Sequence, residues 1–304
     1  MKVIVQLAIV LPALFLVAAP SAVTASTTFA IDNDLFSGSG HDRDYTGGLR
    51  LTFNRSEELD WQAGLLQFTP DDSANLHKRQ EERPFASLLY FGRAKERHLA
   101  EAIDRTTVSF GLLGLPIATR AQQAIHRVTG SDELSRDQDQ ISEGGELTAR
   151  IGWTRYSSLL DTSAPHRHFN VVTETSVSLG YYTSASFGVG FTLSKRPQYW
   201  GSSRQHFLAY LDEPFGEIST GWFGGLRIRG VAYNALLQGQ FRSSPTKLDR
   251  HNVQRLVREA WLGYATNLKG YRISYAIRAN SAEYNRGPVQ IWGALTITKY
   301  ATTR

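Results

Sequence analysis

The stretch ASFGVGFTL, residues 185–193, alternates strictly between larger apolar and small side chains. Its odd positions carry alanine, phenylalanine, valine, phenylalanine and leucine, whereas its even positions carry only serine, glycine and threonine. A period of two is typical of a β-strand whose two faces meet different surroundings. We therefore predict a strand here, with one apolar face and one face of small polar residues.

Four further stretches alternate in the same way: residues 45–54, 147–154, 271–278 and 289–298. Their second face is rich in Gly, Ser, Thr and Arg, which favours the lumen of a membrane barrel over the charged surface of a soluble sandwich. Aromatic residues at strand ends of the apolar face predict interfacial girdles, namely Tyr45, Phe53, Trp153 and Tyr271. A soluble β-protein is the alternative, because its strands also alternate.

Twelve strands of about 9–11 residues, the length of a tilted membrane strand, account for most of the chain. They are predicted at residues 27–33, 44–54, 60–69, 84–93, 106–114, 146–156, 168–181, 185–193, 221–234, 257–266, 270–280 and 289–299. Bacterial barrels have an even number of strands, and the sheet must close because lipid satisfies no backbone groups. The predicted fold is all-β, a transmembrane antiparallel β-barrel of about twelve strands.

The connections between these strands differ in length. With both termini periplasmic, the outward connections include residues 34–43, 70–83 and 115–145. Three inward connections are predicted to be long for turns: residues 94–105, 157–167 and 194–220.

One outward connection has a helical pattern. Residues 116–133 lose the period of two, and their apolar residues recur at three- and four-residue spacing, as in an amphipathic helix. Gln122 and His126 are four residues apart and share one face of it. We predict that this loop helix folds inward and plugs the lumen. A solvated loop histidine is the plainer interpretation of His126.

The N-terminus and the composition limit the compartment and the chemistry. Lys2 precedes a nearly continuous apolar run over residues 3–18, and small residues up to Ala25 predict a signal peptide over residues 1–25, cleaved after Ala25. An anchored N-terminal helix is the alternative. Residues 26–304 form one predicted domain. The absence of cysteine excludes disulfides and thiol catalysis. The 33 basic residues are interspersed with 28 acidic ones, and no long basic run indicates binding of nucleic acid.

Five short sequence segments match, in order, the motifs of a known protein family. In order they are Asn33-Asp34, then 42–48 (DRDYTGG), 67–70 (QFTP) with 82–86 (ERPFA), Gln122 to His126 with Gly130 and 138–140 (QDQ), and 231–234 (VAYN) with Gly239. Together they resemble the motifs of the outer-membrane lipid A 3'-O-deacylases over nearly the whole mature chain. Each motif is weak by itself, but their shared order is specific.

The resemblance implies a twelve-stranded barrel in the outer membrane of a Gram-negative bacterium, with an active site between the barrel wall and an infolded loop helix. The essential residues of the family correspond to Asn33, Asp34, Thr46 and His126, with Gln122 as a close neighbour. Asp132 stands where the best-known members have Glu, and Leu134 where they have an aromatic residue. These departures affect substrate contacts more than the chemistry.

Ester hydrolysis requires a base and a group that stabilises the oxyanion. His126 is the only matched residue whose unperturbed pKa suits a base at neutral pH. It could deprotonate a water, which we favour, or the hydroxyl of Thr46. The parity of Leu49, Leu51 and Phe53 in their strand places Thr46 towards the lumen. Asn33 and Asp34 offer hard oxygen ligands, and the resemblance implies dependence on Ca²⁺. The side chains of Asn33 and Asp34 can converge only at a strand end or bulge, because adjacent residues in a strand point to opposite faces.

Three functions remain open from the sequence. The first is a lipid A 3'-O-deacylase, a carboxylic ester hydrolase acting on lipopolysaccharide as a monomer, whose Lys78, Arg79 and Arg83 could meet the lipid A phosphates. A solvated charge run is an equal interpretation of these three residues. The second is an outer-membrane phospholipase, which predicts a serine paired with the histidine. The third is a non-catalytic, porin-like barrel with an open lumen.

Overall fold

The computed structural model describes residues 26–37, 44–56, 59–70, 82–115, 141–142, 144–164, 167–195, 220–242 and 247–300. Twelve antiparallel strands within these ranges form one closed sheet in which each strand pairs with its neighbours in sequence. Closure is made by β1 and β12, which pair from Ser26 opposite Tyr300 to Asn33 opposite Gly293. The predicted fold class and strand number are confirmed.

The strands are β1 (Ser26–Asn33), β2 (Asp44–Ser56), β3 (Leu59–Thr69), β4 (Ala86–His98), β5 (Ala102–Leu113), β6 (Glu146–Ala164), β7 (Arg167–Gly180), β8 (Tyr182–Ser194), β9 (Gly221–Asn234), β10 (Leu256–Leu268), β11 (Tyr271–Asn280) and β12 (Gln290–Tyr300). A 3₁₀ helix η1 (Asp34–Ser37) follows β1, and a short helix α1 (Ala235–Gln238) follows β9. No helix in the described ranges is long and apolar enough to cross a membrane. The predicted loop helix over residues 116–133 lies outside them.

We call the end of the barrel that carries Ser26 and Tyr300 the inner end and the opposite end the outer end. The outward faces of the strands carry large, exposed apolar side chains, such as Leu147 (77% exposed), Leu226 (66%) and Phe110 (63%). Such a continuous apolar surface is unfavourable in water, so it indicates a wall that contacts lipid.

The inward faces are packed with buried polar and charged side chains. Arg105 forms ion pairs with Asp60 (2.8 Å) and Glu96 (3.0 Å), and Arg227 pairs with Glu174 (2.8 Å) and Glu259 (3.0 Å). Towards the outer end, an apolar cluster fills the interior, with buried members from β2, β3, β4, β5, β8, β9 and β12. A porin requires an open lumen, and this packing argues against one.

Two of the three inward connections predicted to be long are tight turns. β4 runs to His98 and β5 starts at Ala102, and β6 and β7 are separated by residues 165–166 alone. The predicted β4 ended early because its inner end carries polar residues on both faces, and the predicted β6 ended early because a β-bulge between Ser158 and Leu160 interrupts its alternation. Glu96, for example, faces inward and is buried by its pairing with Arg105, whereas Lys95 is exposed. The third long connection lies almost wholly outside the described ranges.

Candidate active site at the outer end of β1

Asn33 is the last residue of β1, and Asp34 is the first residue of η1. The chain leaves its strand conformation between them, as the predicted strand end requires. Asp34 is 3% exposed and Asn33 is half-buried. The Ser37 hydroxyl donates to the Asp34 carbonyl oxygen (2.6 Å) and holds the turn.

Glycines flank Asn33 on both neighbouring strands, because it pairs with Gly47 of β2 and with Gly293 of β12. A Cβ on Gly47 would lie 2.8 Å from the Asp32 carbonyl oxygen and 3.4 Å from Asn33 Nδ2. Such contacts are too close for most side chains. The strands on either side of Asn33 therefore present backbone, and neighbouring groups pack closely against it.

The turn η1 packs against the outward face of β12. A Cβ on Gly293 would lie 2.6 Å from Phe36 Cβ, so only glycine lets the turn approach this closely. The Tyr275 hydroxyl of β11 donates to the Phe36 carbonyl oxygen (2.6 Å) and fixes the far side of the turn. Asn33 and Asp34 thus stand at the outer end of the wall, beside the surface that faces lipid.

A buried polar group supports this strand end from inside. Asp32 accepts hydrogen bonds from Arg50 Nη2 (2.9 and 3.1 Å) and from the Tyr45 hydroxyl (3.1 Å). The Tyr45 ring packs on Phe68 (5.2 Å between centroids) and Trp292 (5.1 Å). All of these side chains are less than 5% exposed. This group immobilises the backbone that carries Asn33.

Tyr45 is therefore not the girdle residue that the sequence predicted. It is 1% exposed and points inward, and the absence of a side chain on Gly48 makes room for its hydroxyl, because a Cβ there would lie 2.5 Å from that oxygen. The cause is a β-bulge: Tyr45 pairs with Phe68 and Gly47 with Gln67, so Thr46 is skipped in the ladder with β3. A bulge reverses the alternation of faces.

The bulge also removes the argument that placed Thr46 towards the lumen. That prediction extended the parity of Leu49, Leu51 and Phe53 back through residue 46, and the parity does not continue past the bulge. The backbone of Thr46 belongs to β2, and its side chain lies outside the described part of the structure. Its orientation stays a prediction.

Arg83 does not offer its charge to the surface. Its side chain is buried, pairs with Glu283 (2.6 Å) and lies over the Phe68 ring at 4.1 Å from the centroid. The ion pair joins the connection before β4 to the connection before β12. The predicted phosphate contact by Arg83 is wrong, because this cation is already neutralised inside the protein. Lys78 and Arg79 lie outside the described residues.

Gln122, His126 and Asp132 also lie outside the described residues, but both ends of their segment are anchored. Gly114 N donates to Ser87 O (2.8 Å), Ser87 Oγ donates to Leu115 O (2.9 Å), and Ile141 N donates to Phe85 O (2.8 Å). Ile141 is fully buried in the apolar cluster that also contains Tyr45. Leu115 and Ile141, which flank residues 116–140, therefore both lie beside β4 and next to the core that supports the end of β1.

Glu146, at the start of β6, links Ser142 to residues 241–242 in another outer connection. It accepts hydrogen bonds from Ser142 Oγ (2.6 Å) and from the backbone N–H groups of Phe241 (2.7 Å) and Arg242 (3.2 Å). A carboxylate satisfied by three donors is a strong link. It holds residues 141–146 against the connection between β9 and β10.

The serine–histidine pairing that a phospholipase requires occurs at the inner end. Ser163 Oγ lies 2.8 Å from His168 Nδ1, and Asp161 Oδ1 lies 3.0 Å from His168 Nε2. The three residues sit on the β6–β7 hairpin, where the last six residues of β6 are exposed. This array is at the opposite end of the barrel from Asn33 and Asp34.

Metal binding at the outer end rests on oxygen donors. In the part of the chain that the structure describes, no group of three or more His, Asp or Glu side chains is arranged to hold a metal ion. Asn33 and Asp34 provide an amide oxygen and a carboxylate at a strand end, and this donor type fits a hard cation such as Ca²⁺. Further ligands would have to come from backbone, water, substrate or the residues outside the described ranges.

Asp32, Tyr45 and Gly293 were not predicted from the sequence as parts of this site. One signal for Asp32 was present, since Asp32 and Arg50 both fall on inward positions of consecutive strands. Pairing them requires the register of β1 and β2, in which Ala30 is opposite Arg50. The packing of Phe36 on Gly293 left no signal, because it joins the two ends of the chain.

A closed twelve-stranded barrel with an apolar outer wall defines a membrane β-barrel. The family described as "Outer membrane protein LpxR" matches residues 4–300, and the chain belongs to this family. Its barrel is thus an outer-membrane barrel. Four of the five connections at the inner end span at most three residues, and residues 195–220 form the fifth. This pattern favours a periplasmic inner end, because barrels of this kind have mostly short periplasmic connections.

The fold agrees with that of a solved structure. LpxR from Salmonella typhimurium has a TM-score of 0.75 and 20% identity, over 90% of this chain and 99% of that chain. An outer membrane channel from Pseudomonas putida F1 has a TM-score of 0.42 and 9% identity, over 93% and 97% of the two chains. The KdgM porin has a TM-score of 0.41 and 6% identity, over 91% and 99%. No curated protein sequence matches this chain.

Proposed function

We propose that this protein is a lipid A 3'-O-deacylase, which hydrolyses ester-linked acyl chains at the 3' position of lipid A in lipopolysaccharide. The observation that carries the proposal is the placement of Asn33 and Asp34. Asn33 ends β1 at the outer end of the wall, between Gly47 and Gly293, and Asp34 follows it at the level where the outer leaflet would meet the barrel. A lipid of that leaflet reaches this position from the side, without entering the lumen.

In the proposed reaction, His126 takes a proton from a water molecule, and the water oxygen attacks the ester carbonyl carbon. The tetrahedral intermediate then collapses, the bond to the sugar oxygen breaks, and His126 returns its proton to that oxygen. Thr46 donates a hydrogen bond in this scheme. The alternative, in which the Thr46 hydroxyl attacks first, requires the same base.

Calcium is part of the proposal. Asn33 and Asp34 would contribute its oxygen ligands, and a bound cation supplies electrophilic stabilisation of the ester oxyanion. The buried group of Asp32, Arg50 and Tyr45 keeps the backbone of residue 33 in place, so the two donors are preorganised.

Substrate recognition is assigned to the outer connections. Lys78 and Arg79 would meet the phosphates of lipid A, and Gln122 and Asp132 would lie near the base on the loop helix. Arg83 has a different role, since its pairing with Glu283 links two outer connections.

The test is mass spectrometry of lipid A from cells that express the parent protein, His126→Ala or His251→Ala. His251 is an exposed histidine of another outer connection and serves as the matched control. We expect loss of the 3'-linked acyl chains with the parent and with His251→Ala, and intact lipid A with His126→Ala. Intact lipid A with the folded parent protein, or an active His126→Ala variant, would refute the proposal.

A second candidate is a phospholipase that uses Ser163, because the Ser163 hydroxyl is hydrogen-bonded to His168 Nδ1 and Asp161 Oδ1 lies 3.0 Å from His168 Nε2. It acts at the periplasmic end and needs no outer-end residue. Ser163→Ala separates the two candidates. The deacylase proposal predicts unchanged lipid A hydrolysis by this variant, whereas release of fatty acid from phospholipid by the parent and its loss in Ser163→Ala would support the phospholipase.

A further inference from the structure

We infer that the lipid-facing surface of the barrel, near its inner end, binds the headgroup of an anionic phospholipid from the periplasmic leaflet. The site is a basic face, made of Arg93, Lys95 and Arg97 on β4 and Arg155 on β6. This inference does not depend on the deacylase proposal, because the basic face lies at the other end of the barrel.

The basic face follows directly from the alternation of β4. After the buried Ser87 its odd residues point outward, and Leu89 and Phe91 are apolar and 41% and 54% exposed. The next three outward residues towards the inner end are basic and exposed. A change from apolar to cationic side chains along one lipid-facing row marks the boundary between hydrocarbon and headgroups.

Two arginines of the basic face are backed by tryptophans. The Arg93 guanidinium carbon lies 5.4 Å from the centroid of the Trp61 ring, and that of Arg155 lies 5.5 Å from the Trp153 ring. Tryptophan favours the membrane interface, where its ring sits at the level of the headgroups. The contacts therefore hold both guanidinium groups at the depth of a lipid phosphate.

The charge of the basic face is only partly neutralised. Asp104 of β5 stands between Arg97 and Arg155 in the ladder and accepts two hydrogen bonds from Arg155 (2.6 and 2.8 Å). Within the described ranges, no carboxylate forms an ion pair with Arg93, Lys95 or Arg97. Among the described residues, Asp104 therefore balances Arg155, and the charges of Arg93, Lys95 and Arg97 are available to an anionic headgroup.

The strand between the two basic rows offers a place for an acyl chain. On β5, Thr106 pairs with Lys95 on one side and with Trp153 on the other, and Val108 pairs with Arg93. These outward side chains are smaller than their neighbours, and the exposed Phe110 follows further along the strand. A lipid whose phosphate meets the basic face can lay its chain along this strand.

The test measures lipid binding to the purified barrel by native mass spectrometry, with phosphatidylglycerol or phosphatidylethanolamine as the probe. The parent should prefer phosphatidylglycerol, and the preference should weaken as salt is added. Each interfacial cation contributes about fivefold to the binding of anionic lipid, so Arg93→Gln/Lys95→Gln/Arg97→Gln should lower the preference on the order of a hundredfold.

The matched control is Arg258→Gln/Lys269→Gln/Lys299→Gln, which removes the same charge from exposed residues elsewhere on the barrel. It should keep the preference. Equal binding of the two lipids by the parent, or an equal loss in the control, would overturn the inference. Displacement of phosphatidylglycerol by lipid A at lower concentration would overturn the choice of ligand. The single variant Lys95→Gln, with an expected loss of about fivefold, serves if the triple variant does not fold.

Discussion

Asp32→Asn should destabilise the barrel strongly although it changes no residue that would contact a substrate. Asp32 and Arg50 are 3% and 4% exposed, and the carboxylate receives both Arg50 hydrogen bonds and the one from Tyr45. Arg278 also interacts with its charge. Removal of one partner of a buried ion pair typically costs about 3–5 kcal/mol, because the other charge remains buried without compensation.

The second half of this prediction is the double variant Asp32→Asn/Arg50→Met, which leaves no uncompensated charge between β1 and β2. It should recover most of the lost stability, since a buried pair replaced by uncharged residues is often nearly neutral. The measurement is the urea midpoint of the purified barrel in vesicles, followed by tryptophan fluorescence. A single variant as stable as the parent, or a double variant no more stable than the single one, would refute the reasoning.

Three further predictions concern the outer end. Gly293→Ala should reduce deacylation while the barrel stays folded, because the added Cβ displaces the 3₁₀ turn. The control is Gly230→Ala, where the atom nearest to the added Cβ is 3.8 Å away. Equal deacylation by the two variants would contradict the packing of the turn on Gly293. A chelator should stop deacylation and Ca²⁺ should restore it, and Asp34→Asn should need more Ca²⁺; full activity in excess chelator would remove the metal from the mechanism. Glu146→Ala should speed proteolysis at residues 241–242, because two backbone donors lose their acceptor; unchanged cleavage would count against this link.

The fold was predictable because lipid and lumen select different side chains. Over residues 185–193 the two faces differ at every position, and β8 contains that whole segment. The prediction was wrong at residues 94–98, where both faces are polar, and at residues 157–164, where a β-bulge between Ser158 and Leu160 interrupts the alternation. There the strands leave the hydrocarbon region, and alternation no longer separates lipid from lumen.

The candidate site was predictable only where it depends on local structure. Asn33 and Asp34 were placed correctly at a strand end, since the apolar alternation stops there. The inward turn of Tyr45 was not predictable, because a bulge leaves no mark on a sequence whose aromatic residue suits either face. Arg83 was misassigned because its partner, Glu283, is 200 residues away, and the sequence alone does not report such a contact.

The most direct test of the account asks whether the strand end and the loop helix form one catalytic site. It measures the deacylation rate of purified barrel on lipid A for the parent, Asn33→Ala, His126→Ala and the double variant. Each single variant should lose about 10²–10⁴-fold in rate, and the double variant should be no slower than the slower single one, because residues that act as a unit are not additive. Losses that multiply in the double variant, or an active His126→Ala enzyme, would contradict the account.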